Sequence, residues 1–71
     1  MSVQRNKEYA VKLGRHIHRA RIKAKLSGRA LGESAGVHRN TILSWESGKS
    51  IPRADQLLKL QAALLEKGCR L

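Results

Sequence analysis

Residues 26–48 read LSGRALGESAGVHRNTILSWESG, from Leu26 to Gly48. Ser27 is a good N-cap, and Leu26 before it can pack on Leu31, so a helix begins after Ser27 and continues to about Ala35. Gly36 then fits a left-handed turn that other residues adopt only with strain. The device repeats at once. Val37 and Ile42 flank a cap at His38 and open a further helix that ends in Trp45-Glu46-Ser47-Gly48. Leu31 and Ala35 on the first of these helices, and Ile42 and Trp45 on the second, are spaced to face one core. Gly48 closes the second helix or the loop beyond it.

On the N-terminal side, a helix is expected from about Lys7 to Ala24. Ala10, Leu13, Ile17, Ala20 and Ala24 step by threes and fours and line one face. Lys12, Arg15, Arg19 and Lys23 fall on roughly the opposite face, whereas Arg21 sits at the border of the apolar stripe. Residues 1–6 are polar and basic and are expected to be flexible. On the C-terminal side, the loop Lys49-Ser50-Ile51-Pro52 leads to a helix over about Arg53–Glu66. Leu57, Leu60 and Leu64 line one face of it, and Leu58, Ala62 and Leu65 a second. Residues 67–71 form a tail without assignment. The expectation is an all-α, compact four- to five-helix domain spanning residues 7–66.

Composition narrows the function. A chain of 71 residues makes one small domain with a modest core. Fifteen Lys and Arg against five Asp and Glu leave a net charge of +10, which predicts a polyanionic partner. No run of eighteen apolar residues is present, so no membrane span is expected, and no secretory signal is read at the N-terminus. The single Cys69 excludes an intrachain disulfide and fits a reducing cytoplasm.

Two helices at a tight glycine turn are a common device for placing one helix in the major groove of DNA. With Ile42 and Trp45 directed to the core, Asn40, Leu43 and Ser44 face away, and Arg39 occupies the first turn. Arginine donates two hydrogen bonds to guanine, asparagine pairs bidentately with adenine, and leucine contacts the thymine methyl. On this helix alone, an ordinary solvated face accounts for these residues equally well.

The ordered set of motifs resembles the phage-repressor and Cro type of helix-turn-helix domain, also called the xenobiotic-response-element type. The elements are Leu13-Gly14, Ile17 and Arg21, then Leu26-Ser27 and Leu31, then Gly36-Val37, Ile42, Trp45-Glu46 and Gly48, then Pro52, Leu57 and Leu64. The resemblance implies that the third helix lies in the major groove of double-stranded DNA. It implies an ion pair between Arg21 and Glu46, and both residues do lie at the edge of their apolar faces. By matching positions, Arg39, Asn40, Leu43 and Ser44 are the base-reading candidates. Phosphate contacts are expected from Ser27, Gly28 and Arg29 and from Lys49 and Ser50. His38, as the cap of the reading helix, is a further DNA-contact candidate.

The chain departs from that pattern in several places. Gly28 stands where glutamine is usual, with Arg29 as a substitute phosphate ligand. Gly32 replaces the usual alanine, His38 the usual Ser or Thr cap, and Lys25 a frequent glycine. The fifth helix is missing or reduced to a stub.

His16, His18, His38 and Cys69 do not have metal-ligand spacing, and the histidines are expected to be solvated. No nucleophile–base set is apparent, so neither enzyme activity, a cofactor nor a small-molecule ligand is expected. With two aromatic residues in the chain, base stacking in the manner of RNA-binding modules is not indicated. The leading expectation is a sequence-specific DNA-binding regulator of the Cro-like repressor kind, from a phage, prophage or plasmid. It is expected to act in the cytoplasm as a weak homodimer through Leu58, Ala62 and Leu65. An antitoxin sharing this domain is the second reading, although the residues after Glu66 leave little room for a toxin-binding segment. A basic amphipathic membrane-surface protein ranks last, because the apolar face of the first helix is alanine-rich.

Overall fold

The computed structural model describes residues 2–71, with side chains from Lys7 onward. Four helices follow in order: α1 (Ser2–Lys23), α2 (Gly28–Ala35), α3 (Arg39–Glu46) and α4 (Ala54–Leu65). The chain is all-helical, as the apolar spacing predicts. α1 opens at Ser2 rather than near Lys7, and residues 2–6 contain no glycine or proline to stop it. Of the stretch 1–6 expected to be flexible, Met1 lies outside the described residues and Ser2–Asn6 open α1. α4 is flanked by Arg53 and Glu66 as its caps, one residue inside the expected span at each end. Among the described residues, no helix is long and apolar enough to cross a membrane.

The core forms where four apolar stripes meet. Ile17 of α1, Leu31 of α2, Ile42 of α3, and Leu60 and Leu64 of α4 are fully buried. Ala20, Ala35, Trp45 and Ala63 complete it, with Leu13, Ala24, Leu26, Val37 and Leu57 packed at its margin. Burying a side chain of the Leu or Ile class contributes about 1.5–3 kcal/mol, and no described side-chain polar atom is left buried without a partner. The tail also joins this core: Cys69 is buried, and Leu71 packs against the cluster.

All four helices stop by the same mechanism. A residue with positive φ follows each helix, its N–H reaching back three residues and the next N–H reaching back five. For α1 these bonds are Lys25 N–H to Ile22 O (3.0 Å) and Leu26 N–H to Arg21 O (3.1 Å). For α2 they are Gly36 to Glu33 and Val37 to Gly32, for α3 Gly48 to Trp45 and Lys49 to Ser44, and for α4 Gly68 to Leu65 and Cys69 to Leu64. This double bond satisfies carbonyls that a helix end otherwise leaves orphaned. Three of the four left-handed positions are glycine. The fourth is Lys25, at φ 60°.

Two glycines set how closely the helices approach. A Cβ on Gly14 would fall onto the Trp45 carbonyl oxygen and lie 2.7 Å from that of Glu46, so α1 packs directly on the backbone at the end of α3. A Cβ on Gly32 would lie 2.7 Å from the Val37 carbonyl oxygen, in the turn between α2 and α3. Both contacts place backbone against backbone, and together they fix where α3 lies.

Candidate nucleic-acid interface

α3 is held at both ends, and its outer face is left free. At its start, His38 has extended backbone, and its Nδ1 accepts the Asn40 N–H at 3.0 Å. That nitrogen therefore carries no proton, and in the neutral ring the proton sits on Nε2, free to donate outward. At its end, Glu46 is gripped by Arg21. Nε donates to Oε2 at 2.6 Å and Nη2 to Oε1 at 3.1 Å, while Nη1 donates to the Leu26 carbonyl at 3.0 Å. One guanidinium thus ties α1 to the end of α3 and to the segment entering α2. Such a fork needs the fixed planar geometry of arginine.

The pair is shielded from solvent, with Arg21 12% and Glu46 8% exposed at the side chain. Burial alone would push the Glu46 carboxyl up. The hydrogen bonds from Arg21 and His18 outweigh it and hold the carboxyl below its ordinary value. The bond to Glu46 in turn raises Arg21. His18 is the residue that sequence reasoning missed. It is exposed, as expected, and also donates Nδ1–H to Glu46 Oε1 at 3.0 Å. His18 and Arg21 lie three apart and share an edge of α1, so helical spacing alone pointed to a common partner.

Two clefts run along α3. One, of about 430 Å³, is lined by Asn40, Leu43, Ser44, Ser47 and Lys49, joining three base-reading candidates to one phosphate candidate. Ser47 was not singled out in the sequence and would be found only by its place one turn after Leu43. The other, of about 480 Å³, is lined by Arg29, Glu33, Val37, His38 and Arg39, so the first turns of α2 and α3 share one basic opening. Arg39 and Asn40 are exposed, and Leu43 is 48% exposed. Ser44 differs from its neighbours: its hydroxyl pairs with that of Ser50 at 2.9 Å and couples α3 to the following loop.

These features coincide with a known family. Residues 17–65, more than half of the chain, match the family described as helix-turn-helix. The chain belongs to the Cro/C1-type helix-turn-helix family. It is accordingly a DNA-binding transcription regulator. No curated protein and no solved structure gives a match.

Within this helix-turn-helix domain, α2 and α3 are the two helices joined by the Gly36 turn. Ser27 caps α2 by accepting the Ala30 N–H at 3.0 Å, and the first N–H groups of the helix point outward with no intrahelical acceptor. A helix start of this kind favours a phosphate oxygen. At Gly28, where the usual glutamine is absent, a Cβ would lie 3.7 Å from Leu43 Cδ2. Leu43 therefore leans over the start of α2 with no side chain at Gly28 to oppose it. The cation nearest this helix start in sequence is Arg29, whose only described ion pair is a loose, exposed one of 3.7 Å to Glu33. Such a pair is worth little and gives way readily to a phosphate.

Proposed function

We propose that this regulator is a Cro-like repressor that occupies a near-palindromic operator as a two-fold dimer and so excludes polymerase. The observation that carries the proposal is the free outer face of α3. Arg39, Asn40 and Leu43 are exposed side by side on a helix whose two ends are anchored by the His38 cap and the Arg21–Glu46 fork. Arg39 and Asn40 supply bidentate donors and acceptors for base edges, and Leu43 supplies an apolar surface for a thymine methyl. His38 lines a cleft with Arg39 at the start of this helix, and Ser44 lines another with Asn40 and Leu43. Ser27, Gly28, Arg29, Lys49 and Ser50 flank it as phosphate contacts that fix register without reading sequence.

The dimer is assigned to the second apolar face of α4. Leu58 is 67% and Leu65 52% exposed, and Ala62 between them is exposed as well. Neither α1 nor the tail covers these side chains. A second copy packed on this face by a two-fold axis would set two α3 helices about 34 Å apart, one turn of duplex.

Selection of binding sites from random duplexes tests the reading. A palindromic consensus with half-sites one turn apart is expected, and Arg39→Ala and Asn40→Ala should relax it at separate base pairs, each at a cost of about 1–3 kcal/mol. The double variant Leu58→Glu, Leu65→Glu should bind a half-site normally and lose the two-subunit complex on the full site. A consensus without symmetry, or one unchanged in both alanine variants, refutes the operator reading.

A further inference from the structure

We propose that the outer face of α1, together with Arg70, takes the phosphate backbone of a second DNA duplex. One subunit then holds two DNA segments at once. The inference rests on the DNA-binding reading of α3 and adds a second surface to it.

From Tyr9 to Gly32 the chain contains seven basic residues and no acidic one. Arg21 is engaged with Glu46, Lys25 lies in the turn after α1, and Arg29 stands at the start of α2. Lys12, Arg15, Arg19 and Lys23 remain, all exposed on α1. Their row spans about 16 Å at 1.5 Å per residue, the axial length of roughly five phosphates on one strand at 3.4 Å each. The tail returns to this row. His16, Arg19, Ala20, Lys23, Arg70 and Leu71 enclose a cleft of about 270 Å³. Arg19, Lys23 and Arg70 make no ion pair among the described residues. Three cations are thus gathered by the fold with no counter-charge of their own, an arrangement that a phosphodiester backbone neutralises.

Position separates this face from the reading helix. α3 meets α1 along the edge that carries Gly14, His18 and Arg21. The α1 residues of the tail cleft lie roughly 180° around the helix from that edge, at 3.6 residues per turn. A duplex lying along α3 therefore leaves the cleft open to solvent on the far side of α1. Composition favours a nucleic acid over an acidic protein. Protein interfaces are enriched in aromatic residues and methionine and depleted in lysine. From Lys12 to Lys23 there is no Phe, Trp, Tyr or Met, and Arg15 and Arg19 supply the planar fork that suits phosphate.

The test uses the full chain on an immobilised duplex bearing its selected site. After unbound protein is washed away, a labelled duplex of unrelated sequence is added. Wild type should retain this second duplex. Arg19→Gln, Lys23→Gln, Arg70→Gln should hold the first duplex within about threefold of wild-type affinity and lose about tenfold or more of second-duplex retention, because three phosphate contacts are removed. Lys7→Gln, Lys59→Gln, Lys67→Gln removes the same charge from exposed positions elsewhere and should retain it. Equal retention by the two triple variants overturns the proposal, since a second subunit's α3 or net charge alone then suffices. Capture of labelled polyglutamate in place of duplex also overturns it, in favour of an acidic protein. Wild type that binds the first duplex but not the second sinks this inference alone; wild type that binds neither sinks the DNA-binding reading with it.

Discussion

Arg21 holds both carboxylate oxygens of Glu46, 25 residues away in sequence, with Nε at 2.6 Å and Nη2 at 3.1 Å. The pair fastens the far end of α3 to α1. Exposed pairs contribute about 0–1 kcal/mol, whereas breaking a fully buried one costs about 3–5 kcal/mol. This one lies between them.

Glu46→Gln is therefore expected to lose about 2 kcal/mol near neutral pH, a fall of roughly 8–16 °C in Tm. The sign of the pH dependence follows from the lowered carboxyl. Its contribution is fully present above the unfolded value, ordinarily 4.5, and disappears as pH falls through the lower folded value. Thermal melts of wild type and Glu46→Gln should converge below about pH 4.5. A gap that persists undiminished at lower pH would show that shape, not charge, carries the effect. Arg21→Lys should recover little, because an ammonium cannot serve both Glu46 oxygens and the Leu26 carbonyl in the same plane.

Gly14→Ala pits helix propensity against packing. Alanine gains about 1 kcal/mol in a helix interior. The new Cβ meets two backbone carbonyls that cannot rotate away, and overpacking of this kind costs about 1–3 kcal/mol. With rigid backbone on the other side the upper end applies, so a net loss of about 2 kcal/mol is expected. Denaturant melts decide it; a stabilised variant would mean that α1 and α3 separate easily.

Lys25→Gly should stabilise the fold. The left-handed conformation costs a side-chain-bearing residue about 1–2 kcal/mol, and the extra freedom of glycine in the unfolded chain returns about 0.5–1 kcal/mol of this. The expected net gain of about 0.5–1 kcal/mol raises Tm by a few degrees. A lowered Tm would show that the Lys25 side chain makes a compensating contact.

His38 serves as a cap through Nδ1, and the proposed operator contact falls to its Nε2–H. His38→Ala should lose about 1 kcal/mol of stability, while His38→Ser keeps a capping oxygen and should melt like wild type. Both lack the Nε2 donor, so both should bind the selected operator about fivefold more weakly, the worth of one hydrogen bond. If the serine variant binds as wild type does, the histidine is a cap and nothing more.

The turn between α2 and α3 was legible because its signals are local. Ser27, Gly36 and His38 each act within a few residues of themselves. The apolar faces of α1 and α4 were legible from spacing, including the exposed Leu58 and Leu65. What escaped depends on distance across the fold. His18 reaches Glu46 over 28 residues, and the one local signal is its place three residues before Arg21 on the same edge of α1. Gly14 stood out only as part of a resemblance, because its reason lies in the carbonyls of α3. The Ser44–Ser50 bond required the path of the loop after α3. The place of Cys69 and Leu71 in the core required α4 to be docked first.

The shared helix ending has a kinetic consequence. Each stop is written into a stretch of six residues by bonds reaching back three and five positions, so no helix needs a distant partner to know where to end. The slow search in folding is then confined to docking four helical segments that stabilise one another on contact, joined by short links. Chains dominated by such local contacts fold in microseconds to milliseconds. A chain built this way regains its native arrangement almost as soon as a denaturing condition is lifted.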